Sequence, residues 1–164
     1  MVRKARGFTL VELMVSVAIV GILSSVAIPN FKLSTLRARK AERDVGMDGV
    51  NRSLQAILIR QGRFGTTNLG NWNPSGTLTA QKRPFNYGAT GWRDLDLQIQ
   101  GHVYHRYYFY ANESVNPVTL DIWAEGDLDG DGATQLKQTW FELREGALLQ
   151  KMEDTYTPAG DVGF

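Results

Sequence analysis

Gly7-Phe8-Thr9-Leu10-Val11-Glu12-Leu13-Met14 opens the stretch that decides how this chain is organised. From Phe8 to Ile28 the sequence is apolar, lacks proline and carries one formal charge, Glu12. A helix of roughly 20 such residues, rising about 1.5 Å each, spans the roughly 30 Å hydrocarbon core of a bilayer. A carboxylate inside a membrane helix costs roughly 2.5–3.5 kcal/mol on insertion scales, which marks Glu12 as a candidate functional residue. Arg3, Lys4 and Arg6 form a basic leader ahead of the run, ending at the small residue Gly7.

The composition bounds the rest. The chain has 164 residues and a formal net charge of +1, so it has no basic footprint and no direct nucleic-acid site is expected. About 130 residues beyond the apolar run are enough for one small domain with its own core. There is no cysteine. An exported domain of this size then takes its stability from its core, a long helix, a metal or assembly rather than from disulfides.

Two cleavage readings fit the leader. An ordinary secretory signal is cut after its apolar run, where Ser24-Ser25-Val26-Ala27 offers a weak small-residue site. The alternative places cleavage before the run, at Gly7, and keeps the run. The second reading agrees with a resemblance. Gly7-Phe8-Thr9-Leu10-Val11-Glu12-Leu13-Met14, then Gly21-Ile22-Leu23 and Ala27-Ile28-Pro29-Asn30-Phe31, resembles the class III signal of type IV pilins and pseudopilins.

The resemblance implies removal of residues 1–7 by a prepilin peptidase and N-methylation of Phe8. It implies that 8–31 is the transmembrane and filament-core half of a helix, and that 32–164 is a globular domain carrying the helix's amphipathic half. It implies that Glu12 pairs with the N-terminal amine of a neighbouring subunit. Two opposite charges neutralise each other in an apolar core, whereas either alone is left uncompensated. The bland alternative is a signal anchor in which Glu12 is tolerated near the headgroups. Positive charge lies on both sides of the run, with Lys32, Arg37, Arg39 and Lys40 following it, so charge alone does not orient the helix. The resemblance does, placing the leader in the cytoplasm.

The implied partners are other pilins in a homo- or hetero-oligomeric filament, the inner membrane before assembly, the prepilin peptidase and the pilus assembly platform. The leading function is a structural subunit of a type IV pilus on the cell surface, serving adhesion, twitching motility or DNA uptake. The alternative is a pseudopilin of a type II secretion system in a periplasmic filament. A third reading, from another class, is a membrane-tethered enzyme or binding domain.

Beyond the run, Leu36, Met47, Val50, Leu54, Ile57 and Leu58 share one side of a 3.6-residue period, and Gly62 is placed to end that helix. Arg39, Glu42 and Arg52 lie off the stripe. Pro29 predicts a kink or local melting between Gly21 and Pro29, and Gly46 and Gly49 weaken the second half. Residues 63–98, rich in Gly, Asn, Thr and Pro, read as a surface loop anchored by Trp72, Phe85, Tyr87 and Trp92. In pilins such a segment contributes lateral contacts; the plainer reading is a cover for the sheet edge. Val103–Tyr110, the alternation of Val118, Leu120 and Ile122, and the pair Thr139–Arg144 and Ala147–Met152 read as strands. Glu145-Gly146 joins the last two as a hairpin. The expected fold is α+β, a long helical spine on three or four antiparallel strands.

No nucleophile–base set, phosphate loop or paired-carboxylate cleft stands out, so the chain reads as non-enzymatic. His102 and His105 fall on opposite faces of a regular strand, which makes an aromatic-rich strand the better reading than a metal pair. Asp127, Asp129 and Asp131, with Gly132, occupy positions 1, 3, 5 and 6 of a calcium-loop pattern. Ala133 and Gln135 could add a carbonyl and a side-chain or water-mediated ligand. Position 12 is Gln138, not a bidentate glutamate, and flanking helices are lacking. No cofactor is required; calcium is the candidate ion, set against a solvated Asp/Gly turn. A bound calcium would replace the disulfide clamp of many pilins.

Overall fold

A computed structural model describes residues 7–65, 69–97, 99 and 101–156. The basic leader Met1–Arg6 lies outside them. The chain divides into two compact units, one ending at Thr35 and the other beginning at Leu36.

One helix, α1, runs from Leu10 to Gln61. It continues without interruption through Gly21 and Pro29, so the local melting expected there does not occur. A proline removes a single N–H from the ladder, and the surrounding turns keep theirs. At the far end the Gly62 N–H donates to the Leu58 carbonyl at 2.7 Å with φ of 72°, a left-handed cap that glycine adopts without Cβ strain.

Seven strands follow: β1 (Leu69–Asn73), β2 (Arg83–Pro84), β3 (His102–Val103), β4 (Arg106–Asn112), β5 (Thr119–Gly126), β6 (Gln135–Arg144) and β7 (Ala147–Tyr156). Five form one antiparallel sheet in the order β1-β4-β5-β6-β7, and β2 pairs with β3 in a second, two-stranded one. The α+β class stands. The main sheet is one strand larger than expected, because the Gly/Asn-rich segment after the helix supplies β1. Polar, glycine-containing Leu-Gly-Asn-Trp-Asn carries little strand propensity, and pairing with the aromatic β4 overrides it. The aromatic run from Val103 to Tyr110 is broken at Tyr104-His105, which separates β3 from β4.

Met47, Val50, Leu54 and Ile57 of α1 pack against Tyr107, Phe109, Leu120, Ile122 and Phe141 of the sheet. Each fully buried aliphatic side chain contributes about 1.5–3 kcal/mol relative to exposure. Phe64, Phe85 and Trp92 from the loop complete this core, and the Trp92 indole N–H donates to the Asn71 carbonyl at 2.6 Å. The segment 63–98 is therefore partly interior. At Gly46 the helix needs a residue without a side chain, because the Tyr107 ring and hydroxyl occupy the space a Cβ would fill. β6 and β7 are joined by Glu145-Gly146 with φ of 52° and 80°, the positive pair that a two-residue hairpin of matching twist requires.

Candidate assembly site and acidic loop

Phe8 and Thr9 precede the first turn of α1, and the helix opens with a reciprocal cap. The Thr9 backbone N–H and hydroxyl donate to Glu12 Oε2 at 2.9 and 2.8 Å, and the Glu12 N–H donates to Thr9 Oγ1 at 3.2 Å. This is a capping box, which satisfies otherwise orphaned helix donors and places a carboxylate at the positive end of the helix dipole. The Thr9-x-x-Glu12 spacing is itself the sequence signal for it. Glu12 is thus already held within its own chain, with both bonds on Oε2.

The apolar residues around this cap are exposed among the described residues. Phe8 is 83% exposed, and Leu10, Ile22 and Phe31 are each more than two-thirds exposed. Two hydroxyls among them bond internally: Ser16 Oγ donates to the Glu12 carbonyl and Ser25 Oγ to the Ile22 carbonyl, both at 2.7 Å. Hydroxyls satisfied this way present no lone donor to an apolar surrounding. Among the described residues, α1 is the helix long and apolar enough to cross a membrane.

In the second unit, polar residues fasten the helix to the strands. Glu42 accepts the Tyr104 N–H at 2.7 Å and pairs with Lys82 at 3.0 Å. Arg39 and Glu42, placed off the apolar stripe, are half-buried rather than solvated. Arg43 is 2% exposed and lies against Asp44, which in turn bonds Lys137 of β6 at 3.0 Å. Burial raises the Asp44 carboxyl, but Lys137 and Arg43 outweigh it and hold the pKa below its ordinary value. His105 is 1% exposed. Burial, reinforced by the charge of Arg43, lowers its pKa to about 3, so the imidazole is neutral. Nothing in the hydrophobic pattern marks Arg43 or His105 as interior; only tertiary contact does. His102 is exposed in β3, and the two histidines do not converge.

Between β5 and β6 the structure brings Asp127, Asp129 and Asp131 together, with a carboxylate oxygen of each within 4.8 Å of the others. Each also folds the loop. Asp127 Oδ1 accepts the Gly130 N–H at 2.8 Å, Asp129 Oδ1 that of Asp131 at 3.3 Å, and Asp131 Oδ1 that of Ala133 at 2.7 Å. Gly130 and Gly132 hold φ of 83° and 88°. Gln138, at loop position 12, lies in β6 and donates to Asp121 Oδ1, away from the cluster. Arg39 reaches over from α1 and donates to the Leu128 carbonyl at 2.7 Å, tying the loop to the helix.

A family model described as the prokaryotic N-terminal methylation motif matches residues 2–28. The chain is 37% identical over 59 residues to the type IV major pilin protein PilA of Myxococcus xanthus, covering 36% of this chain and 27% of that protein. It is 36% identical over 120 residues to a type IV major pilin protein PilE1 of Neisseria gonorrhoeae, covering 73% and 52%. It is 30% identical over 92 residues to the type II secretion system core protein G of Dickeya chrysanthemi, covering 56% and 60%. The chain therefore spans between 27% and 60% of the length of these relatives. No solved structure matches it. The methylation motif over residues 2–28 and these partial matches support a protein of the type IV pilin and pseudopilin family.

Proposed function

We propose that the chain is a structural subunit of a type IV pilus, polymerising through the first half of α1. The observation that carries this is the uncovered apolar surface from Phe8 to Phe31 with one carboxylate, Glu12, at its start. A bilayer covers such a surface in a single-pass precursor, and the same surfaces of neighbouring subunits cover it in a filament. Prepilin peptidase cuts between Gly7 and Phe8, and Phe8 is N-methylated. The freed amine of one subunit pairs with Glu12 of the next, and an assembly platform outside this chain drives the transfer. The capping box leaves this open, since Thr9 engages Oε2. A second reading, the type II secretion pseudopilin, is favoured by the match to core protein G, which extends over 60% of that protein.

The test is imaging of filaments in cells carrying Glu12→Ala, with shear fractions quantified for this chain. Loss of filaments or of the subunit from them supports the assembly role of Glu12; incorporation equal to wild type refutes it. Filaments outside the cell mark a pilus, and filaments held in the periplasm mark a pseudopilus.

The acidic loop suits a hard cation, because its donors are three converging carboxylates. Asp127, Asp129 and Asp131 would hold calcium, which would cross-link the loop in a chain without cysteine. Calcium is then expected to raise the melting temperature relative to chelator, and an unchanged melt removes the proposal.

A further inference from the structure

The face of the main sheet turned away from α1 carries a row of rings that the filament reading does not use. Trp72, Tyr108 and Trp123 stack across β1, β4 and β5 with centroids 5.4 and 4.9 Å apart. At one end of this row the chain recognises its own cation. The Arg106 guanidinium lies 4.6 Å from the Trp72 ring centroid, and its Nε donates to Glu125 Oε2 at 2.8 Å. Ring, guanidinium and carboxylate form a complete set, of the kind that cation–π attraction and charge-assisted bonding favour together.

The other end repeats the rings and the carboxylate. Asp121 of β5 stands directly across from Tyr110 of β4 and Trp140 of β6, next along the face from the Tyr108–Trp123 contact. Directly opposed residues on one face have Cβ atoms about 4.5–5.5 Å apart, so the carboxylate is set among rings. Tyr110 is exposed, while Asp121, Trp123 and Trp140 are half-buried. Gln138 donates to Asp121 Oδ1 at 2.9 Å, and among the described residues no lysine or arginine pairs with Asp121. Burial raises the Asp121 carboxyl, only partly offset by Gln138.

We propose that the Asp121 end of this face, framed by Tyr110, Trp123 and Trp140, binds an arginine side chain presented by another polypeptide. Charge complementarity carries the assignment: a half-buried carboxylate among rings lacks the cation that its counterpart Glu125 has. Arginine fits better than a compact ammonium because the planar guanidinium stacks on a ring while bonding a carboxylate, as Arg106 does along the same face. This site is independent of the Glu12 surface and of either filament reading.

The test uses the full chain in a nonionic detergent, with the four tryptophan indole N–H signals followed by NMR during titration with N-acetyl-arginine amide. Saturable shifts are expected for Trp123 and Trp140, with buried Trp92 unmoved as an internal reference. Asp121→Asn keeps the shape and removes the charge, and is expected to weaken binding about tenfold or more. Absence of a saturable shift overturns the proposal, as does an equal response in Asp121→Asn. An uncharged glycoside moving the same signals equally in both proteins overturns it too, replacing charge recognition by stacking on sugar.

Discussion

The two halves of α1 share one backbone and differ in what covers them. From Leu10 to Phe31 the large apolar side chains are exposed. From Leu36 to Gln61 one apolar stripe turns inward, and its Met47, Val50, Leu54 and Ile57 are closed over by the sheet, while Val45 and Ile59 lie outside it and are exposed. The difference teaches where each half finds its stability. The second is completed by its own chain; under the function proposed above, a bilayer or other copies complete the first. Glycine shows the same division in miniature. Gly21 has open space where a Cβ would stand, and Gly46 has Tyr107 there.

Acid breaks the comparison most strongly. His105 has its folded pKa lowered from 6.5 to about 3, so above pH 6.5 its contribution is fully present. As pH falls below 6.5 the unfolded chain takes up the proton first. Stability is then lost at up to about 1.4 kcal/mol per pH unit until the folded pKa is reached. Asp44 and Glu153, both lowered, release their share only below their own ordinary values, and the raised Asp121 acts in the opposite sense, so loss of stability between pH 6.5 and about 5 is assigned to His105. Amide exchange should show the Leu36–Gln61 half loosening there while Leu10–Thr35 in detergent stays protected. His105→Gln should flatten that window; an unchanged slope assigns the loss elsewhere.

Paired alanine substitutions give a smaller effect. Gly46→Ala forces Tyr107 out of place and is expected to cost about 1–3 kcal/mol in the melting of the globular domain. Gly21→Ala should leave that melting unchanged and, by helix propensity, strengthen its own segment by up to about 1 kcal/mol. A deficit in Gly21→Ala that appears only in filaments would show that neighbours pack against the glycine.

Thr9→Ala is the mildest change. It removes one side of the capping box, worth about 1 kcal/mol, and should raise exchange at Leu10–Leu13 without touching the second half. Protection equal to wild type would mean that the cap is dispensable.

Much of this was legible in the sequence. The long helix through the apolar run, the stripe through Leu54, the Gly62 stop and the Glu145-Gly146 hairpin are local patterns. What escaped depends on partners distant in the chain. Leu69–Asn73 is a strand because β4 offers it an edge, and Trp92 is core because the loop folds inward. Arg43 and His105 are buried by neighbours no periodicity names. The Asp127–Asp131 spacing brought the carboxylates together as expected, but β6 turns Gln138 away from them.

The ten-residue strand β7 has a further consequence. Among the described residues it is the last strand of its sheet, with backbone donors and acceptors along its outer edge. Lys151, Glu153 and Asp154 put charge along this one, and a bulge beside Trp140 and Phe141 spoils its straight register. Both devices discourage strand-to-strand fusion between copies. A sheet whose last described strand is charged and bulged is in this way kept from extending through its edge into a copy of itself.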